Sequence, residues 1–159
     1  MSTQTLQITK ANARKLFPTA SGEFKQMLID TFGEEFFSQK ITDRIKTFND
    51  ACEALSIDPT KQIPAQVPGS DGEAIKAYAM MFIIARALNE GWKPDWNNSS
   101  QYKYYPWFDM RAGSGFSFTG YVNSHAHTTV GSRLCFKSRE LAEYAGTQFV
   151  ELYKLMFTL

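Results

Sequence analysis

Cysteine, histidine and uncompensated charge are all scarce in this chain, and each scarcity closes off a class of function. Only two cysteines, Cys52 and Cys135, occur in 159 residues, far apart and with no Cys-x-x-Cys or Cys/His ligand spacing. That pattern fits buried thiols in a reducing compartment rather than a disulfide framework. Lys plus Arg 17 against Asp plus Glu 16 leaves a formal charge of +1, so no overall field draws the chain onto DNA or an anionic membrane. No run approaches ~18 apolar residues, and the start, MSTQTLQITK, has neither a basic n-region nor an apolar h-region. The sequence therefore predicts no signal peptide, no membrane partner and a cytoplasmic protein.

The two histidines, His125 and His127, form an H-x-H pair that would share one face of extended backbone, as metal sites require. A third ligand cannot be named, Asp109 being the nearest acid, so neither a metal nor another cofactor is expected. The same shortage removes a tandem H-x-T phosphoesterase site, because His125-Ala126-His127-Thr128 has no second copy. Gly113-Ser114-Gly115 is too short for a G-x-S-x-G elbow and fits neither phosphate-loop pattern, so it reads as a backbone turn. No catalytic residue is expected, and the reading is non-enzymatic.

What the chain has in quantity is apolar and aromatic side chains: 43% hydrophobic and 14% aromatic, with 13 Phe and 7 Tyr, enough for one sizeable core and a single domain over residues 1–159. Residues 1–91 read as a mainly helical scaffold. Thr9, Ser21 and Ser138 are placed to cap helices, Pro18 and Gly33 to end them, and Thr47 with Asp50 to form a capping box. PTKQIPAQVPG, from Pro59 to Gly69, reads as a linker loop or an edge segment. A second capping box at Ser70 to Glu73 predicts the central core helix, with Ala74, Ile75, Tyr78, Ala79, Phe82, Ala85 and Leu88 on its inward face and Met81, Ile83 and Ile84 widening it.

Residues 101–137 read as β-rich. Tyr102 to Phe108 predicts a strand confined by Pro106 to an edge or a bulge, while Phe116 to Tyr121 and Val130 to Lys137 predict a hairpin joined by a polar loop. A single amphipathic helix then fills 138–157. The order of helices, a small antiparallel sheet over about 102–136 and a packed C-terminal helix makes the fold class α+β.

Two surfaces in the β-rich stretch are candidate sites. The loop 121–129 offers Tyr121, Asn123, Ser124, His125, His127 and Thr128 to a protein or small ligand, since a long loop on a rigid hairpin is a usual place for recognition. Alternatively, Lys103, Tyr104, Tyr105, Trp107, Arg111, Arg133 and Lys137 interleave cations with rings in the way single-strand binders do. From Gln101 to Arg139 there are five positive charges against Asp109 alone, and each stacked base contributes about 1–3 kcal/mol. The opposing reading puts these rings in the core.

The segments KYYPWF (Lys103 to Phe108), GSGFSF (Gly113 to Phe118) and VGSRLCFKSRELAEYAG (Val130 to Gly146), with ITKANARKLFPTAS and LNEGWKPDW, resemble a family of short proteins of gut anaerobes and of their phages and prophages. The resemblance spans most of the chain and brings no activity with it. It implies a phage or mobile-element protein, accessory or virion-associated rather than metabolic, and adds a structural virion or assembly protein, with a homo-oligomer among the partners, to the alternatives. The loop alone is similar in composition to the variable segments of retroelement-diversified C-type-lectin-like proteins. It lacks their Gly-Gly-Ser-Trp signature and is followed by a long helix.

Overall fold

Helix α1 (Lys10–Leu16) begins where Thr9 Oγ1 accepts the Asn12 N–H at 3.2 Å, and Pro18 follows its end. The structure is a computed structural model and describes residues 8–64, 67–111, 115–128 and 131–158. In α2 (Gly22–Phe32) Ser21 occupies the N-cap position without a side-chain bond, and Gly33, at φ +83°, separates α2 from α3 (Glu34–Ser38) in a conformation that favours glycine. α4 (Ile41–Arg44) follows, and the chain from α1 to α3 gathers a ring cluster in which Phe17 stacks on Phe37 at 3.9 Å and Phe36 packs edge-on against Phe37. Among residues 8–40 only Ala13 and Leu28 are buried, so this end is a satellite of the main core.

That core starts at α5 (Phe48–Leu55). Its predicted capping box is present: Thr47 Oγ1 accepts the Asp50 N–H at 3.2 Å, and Asp50 Oδ2 accepts the Thr47 N–H at 2.8 Å. The stretch after it is not wholly irregular, because Asp58 caps a 3-10 turn at Pro59–Lys61; residues 65–66 lie outside the described residues. The long helix α6 (Gly69–Leu88) corrects two expectations. It starts directly after the extended Pro68 with no side-chain cap, which places Ser70 inside the first turn instead of ahead of it. Its innermost line is Ala77, Met81, Ile84 and Leu88, whereas Ile75 is exposed and Tyr78 and Phe82 are half-buried. Because Ile83, Ala85 and Ala87 are buried as well, burial in the second half of α6 spreads around most of the helix and leaves Arg86 exposed, so apolar periodicity stops indicating a single face.

Strand β1 (Lys103–Asp109) pairs antiparallel with β2 (Ser117–Ser124), matching Lys103 with Ser124, Tyr105 with Val122 and Trp107 with Gly120, and the register shifts between Trp107 and Phe108. Pro106 therefore sits beside a bulge. It also faces the outer edge of β1, since Tyr104, two residues earlier, turns both backbone groups outward to Phe136 at 3.1 and 2.8 Å.

This pairing overturns the predicted hairpin. Residues 131–137 form no strand; Ser132–Leu134 is a 3-10 turn, and Val130 lies outside the described residues. The Asn89 side chain at the end of α6 takes the backbone groups a strand would have used, donating to the Cys135 carbonyl at 2.8 Å and accepting the Lys137 N–H at 2.9 Å, while Phe136 is fully buried between them. The loop 121–129 is accordingly not a hairpin loop. Tyr121, Asn123 and Ser124 belong to β2, and Thr129 lies outside the described residues, as do Gly113 and Ser114 of the predicted turn.

The C-terminal segment is two helices, not one. Ser138 Oγ caps α7 (Arg139–Gln148) by accepting the Leu141 N–H at 3.3 Å, and the chain leaves helical geometry at Phe149 before α8 (Val150–Phe157). The break lets two apolar stripes address two surfaces: α7 lies across the sheet, and α8 packs on α6 and brings Tyr153 and Phe157 against Phe108. Gly146 permits the close crossing, since a Cβ there would press into the Phe118 ring and lie 2.8 Å from Pro106 Cβ. The result is an α+β fold of eight helices and one two-stranded antiparallel sheet among the described residues, none of the helices long and apolar enough to cross a membrane.

Candidate functional site

Strand periodicity divides the candidate residues between the two faces of the β1–β2 ribbon. On the face that α7 crosses lie Tyr104 and Pro106 of β1 and Tyr121 and Asn123 of β2, and Tyr102 continues the same line ahead of β1. Helix α7 covers the Pro106 and Phe118 end and leaves the Tyr104 and Asn123 end open. There the rings run together: His125 lies 4.1 Å from Tyr102, Tyr102 6.2 Å from Tyr104, and Tyr104 5.7 Å from Tyr121, all tilted to one another. Arg139, at the start of α7, holds its guanidinium 5.1 Å from the Tyr121 ring centre, within cation–π range. Tyr102 is 43% exposed, Asn123 is exposed, and Tyr104, Tyr121 and His125 are half-buried, so the stripe is supported from behind and open in front.

The rest of the predicted loop site disperses. Ser124 turns to the opposite face and its Oγ accepts the His127 N–H at 3.0 Å, leaving His127 and Thr128 exposed beyond the ribbon. His125 and His127 do not converge. The His125 Nδ1 is buried without a hydrogen-bond partner, and the described residues contain no group of three His, Cys, Asp or Glu side chains placed to hold a metal ion.

The nucleic-acid set is more strongly corrected. Lys103 is completely buried: its ammonium donates to the carbonyls of Asp95, Gln101 (2.7 Å) and His125 (2.9 Å) and lies 5.3 Å from the Trp96 ring. It is a staple that holds two loops over the far face of the ribbon, not a surface cation. Tyr105 is buried beside it. Its hydroxyl, near Thr128 and the Cys135 thiol, meets no acceptor, and burial raises its pKa. Of the remaining cations, Arg111 is held by Asp109 at 2.9 and 3.0 Å through Nε, Lys137 pairs with Glu90 at 3.1 Å and Arg139 with Glu143 at 3.0 Å. Two of those acids lie outside the stretch whose charge was counted, which is why a window of sequence overstated the field. Arg133 has no ion pair among the described residues and lies 5.7 Å from the Phe82 ring.

The far face is open at its other end, where Trp107, 53% exposed, and Met110, 56% exposed, border an apolar groove of about 340 Å³ with Val122 and Phe157. Neither thiol is an activated nucleophile. Burial raises both, Cys135 to about 11, and the Cys135 Sγ–H donates to the Ser132 carbonyl at 3.1 Å.

Sequence reasoning placed Tyr121, Asn123 and His125 at the site and left Tyr102 and Arg139 out of it, although the two-residue spacing of Tyr102 with Tyr104 and of Tyr121 with Asn123 is the signal that joins them. The chain matches no protein-family model, no curated protein and no solved structure.

Proposed function

We propose that the chain is a non-enzymatic binding module, of the phage or mobile-element accessory type its resemblance implies, and that it binds a ring-bearing polar ligand on the stripe formed by Tyr102, Tyr104, Tyr121, Asn123 and His125. The observation that supports this most is the open run of mutually packed rings ending in an exposed carboxamide. Tyrosine presents a large, stiff contact area at low conformational cost, and its hydroxyl and the Asn123 amide supply donors and acceptors at the rim. Arg139 is already neutralised by Glu143, so the stripe does not call for an anion.

Titrating the 15N-labelled chain with oligosaccharides and with short oligonucleotides tests the reading. Saturable shifts are expected at Tyr102, Tyr104, Tyr121, Asn123 and His125 and not at Lys103 or Tyr105. Shifts confined to other residues, or none with any probe, would contradict it. The same rings favour single-stranded nucleic acid as the second reading, with Lys103 buried and Arg133 left as the cation of the predicted set that has no ion pair among the described residues. That reading requires oligonucleotide binding at ~50 mM salt that weakens steeply as salt rises.

A further inference from the structure

Where α1, α3, α4 and α5 meet, a cavity of about 340 Å³ is lined by Arg14, Arg44, Asp43, Asp50 and Glu53 among others. The two arginines are poorly matched by the protein itself. Arg14 is half-buried and makes no ion pair among the described residues: it donates to the Phe36 carbonyl and to Gln39 Oε1 at 3.1 Å, both neutral, and its guanidinium lies 3.6 Å from the Phe36 ring centre. Arg44 reaches Glu90 at 2.9 Å, but Glu90 is shared with Lys137, and the Arg44 Nε–H is buried with no acceptor among the described residues.

The nearby acids do not fill this gap. Asp50 Oδ2 accepts the backbone N–H groups of Lys46 and Thr47 at 3.0 and 2.8 Å, and neither Asp43 nor Glu53 forms an ion pair with either arginine. Arg14 holds its proton less tightly than usual, first because it is buried and then because Arg44 is close, with Glu53 opposing. The cavity lining balances Lys10, Arg14 and Arg44 against Asp43, Asp50 and Glu53 in charge, but it leaves the buried Arg44 Nε–H without an acceptor among the described residues, and a buried donor left unfilled is costly.

We propose that this cavity is an anion site in which a carboxylate or phosphate group is held between the Arg14 and Arg44 guanidinium groups. Guanidinium forks suit both groups, because each presents two oxygens at the spacing of paired N–H donors. The site is separate from the tyrosine stripe, and each can fail without the other.

The test follows the Arg14 and Arg44 Nε–H resonances of the full chain during titration with inorganic phosphate and, separately, with succinate, with sodium chloride adjusted to hold ionic strength constant. Both resonances are expected to shift saturably with a common dissociation constant, while Tyr102 and His125 stay in place. Saturation by phosphate alone assigns a phosphate-bearing ligand, and saturation by succinate alone a carboxylate. R14Q and R44Q are each expected to weaken binding about tenfold or more, the loss of one charge-assisted hydrogen bond. Non-saturating shifts in the wild-type chain would overturn the proposal whether or not the variants fold. So would a rise in melting temperature with phosphate that is equal in wild type and R14Q, since exclusion of the salt from protein surface produces that without a site.

Discussion

The two faces of the β1–β2 ribbon are covered at opposite ends. Helix α7 closes one face at Pro106 and Phe118 and leaves Tyr102, Tyr104 and Asn123 open, whereas the loops held by Lys103 close the other face at Tyr105 and leave Trp107 and Met110 open. Tyr104 and Tyr105 are neighbours in sequence, yet one belongs to the candidate binding stripe and the other to the core. Composition cannot separate them; the two-residue period of a strand together with the elements laid over each face does.

Removing the staple on the closed end of the far face should have the largest effect on that contrast. Lys103→Met leaves three carbonyls without their donor, and a loss of about 3 kcal/mol or more in urea unfolding is expected, from charged hydrogen bonds that cannot be replaced. A loss within experimental error would mean the lysine is not the clamp the geometry describes.

Alkali should act on the same closed region. Burial moves the Cys135 thiol from its ordinary 9.0 to about 11, so between those values the unfolded chain has released a proton that the folded chain keeps. The unfolded state therefore binds fewer protons and stability falls with rising pH across that window, by about 2–3 kcal/mol for a shift of this size. Tyr105 and Tyr153, also raised by burial, act in the same direction. Urea midpoints at pH 8, 9, 10 and 11 read the slope, and Cys135→Ala should reduce it.

Gly146→Ala works on the covered end of the other face. The added methyl meets the Phe118 ring and Pro106, and overpacking at such a crossing costs about 1–3 kcal/mol. Denaturation midpoints check this, and amide shifts should concentrate at Trp107, Phe108 and Phe118 while those of Lys103 hold.

How far the sequence could be read depends on how local each feature is. The caps at Thr9, Thr47 and Ser138 depend on three or four consecutive residues and were legible, as was the α+β order of elements. Strand pairing was not. The segment around Phe136 looks like a strand, but it keeps only a single bridge to Tyr104, Asn89, far away in sequence, takes the Cys135 carbonyl and the Lys137 N–H, and β2 pairs with β1 instead. The inward side of α6 was legible in part, since Met81, Ile83, Ile84, Ala85 and Leu88 were named and are buried while Ala77 and Ala87 were not named, and the break at Phe149 was missed because neither proline nor glycine marks it. Of the candidate site, Tyr121, Asn123 and His125 were legible as an accessible polar and aromatic group. Their meeting with Tyr102 and Arg139 required the register.

The stripe itself should matter least for stability and most for binding. Binding of the oligosaccharide or oligonucleotide that shifts the wild-type spectrum should be measured in the triple variant Y102A/N123A/H125A, with H127A as the control beyond the ribbon. The account predicts that the triple variant stays folded and loses binding, the exposed Tyr102 and Asn123 each costing no more than about 0.5 kcal/mol and the half-buried His125 more, and that H127A binds like wild type. Undiminished binding by a folded triple variant would contradict it.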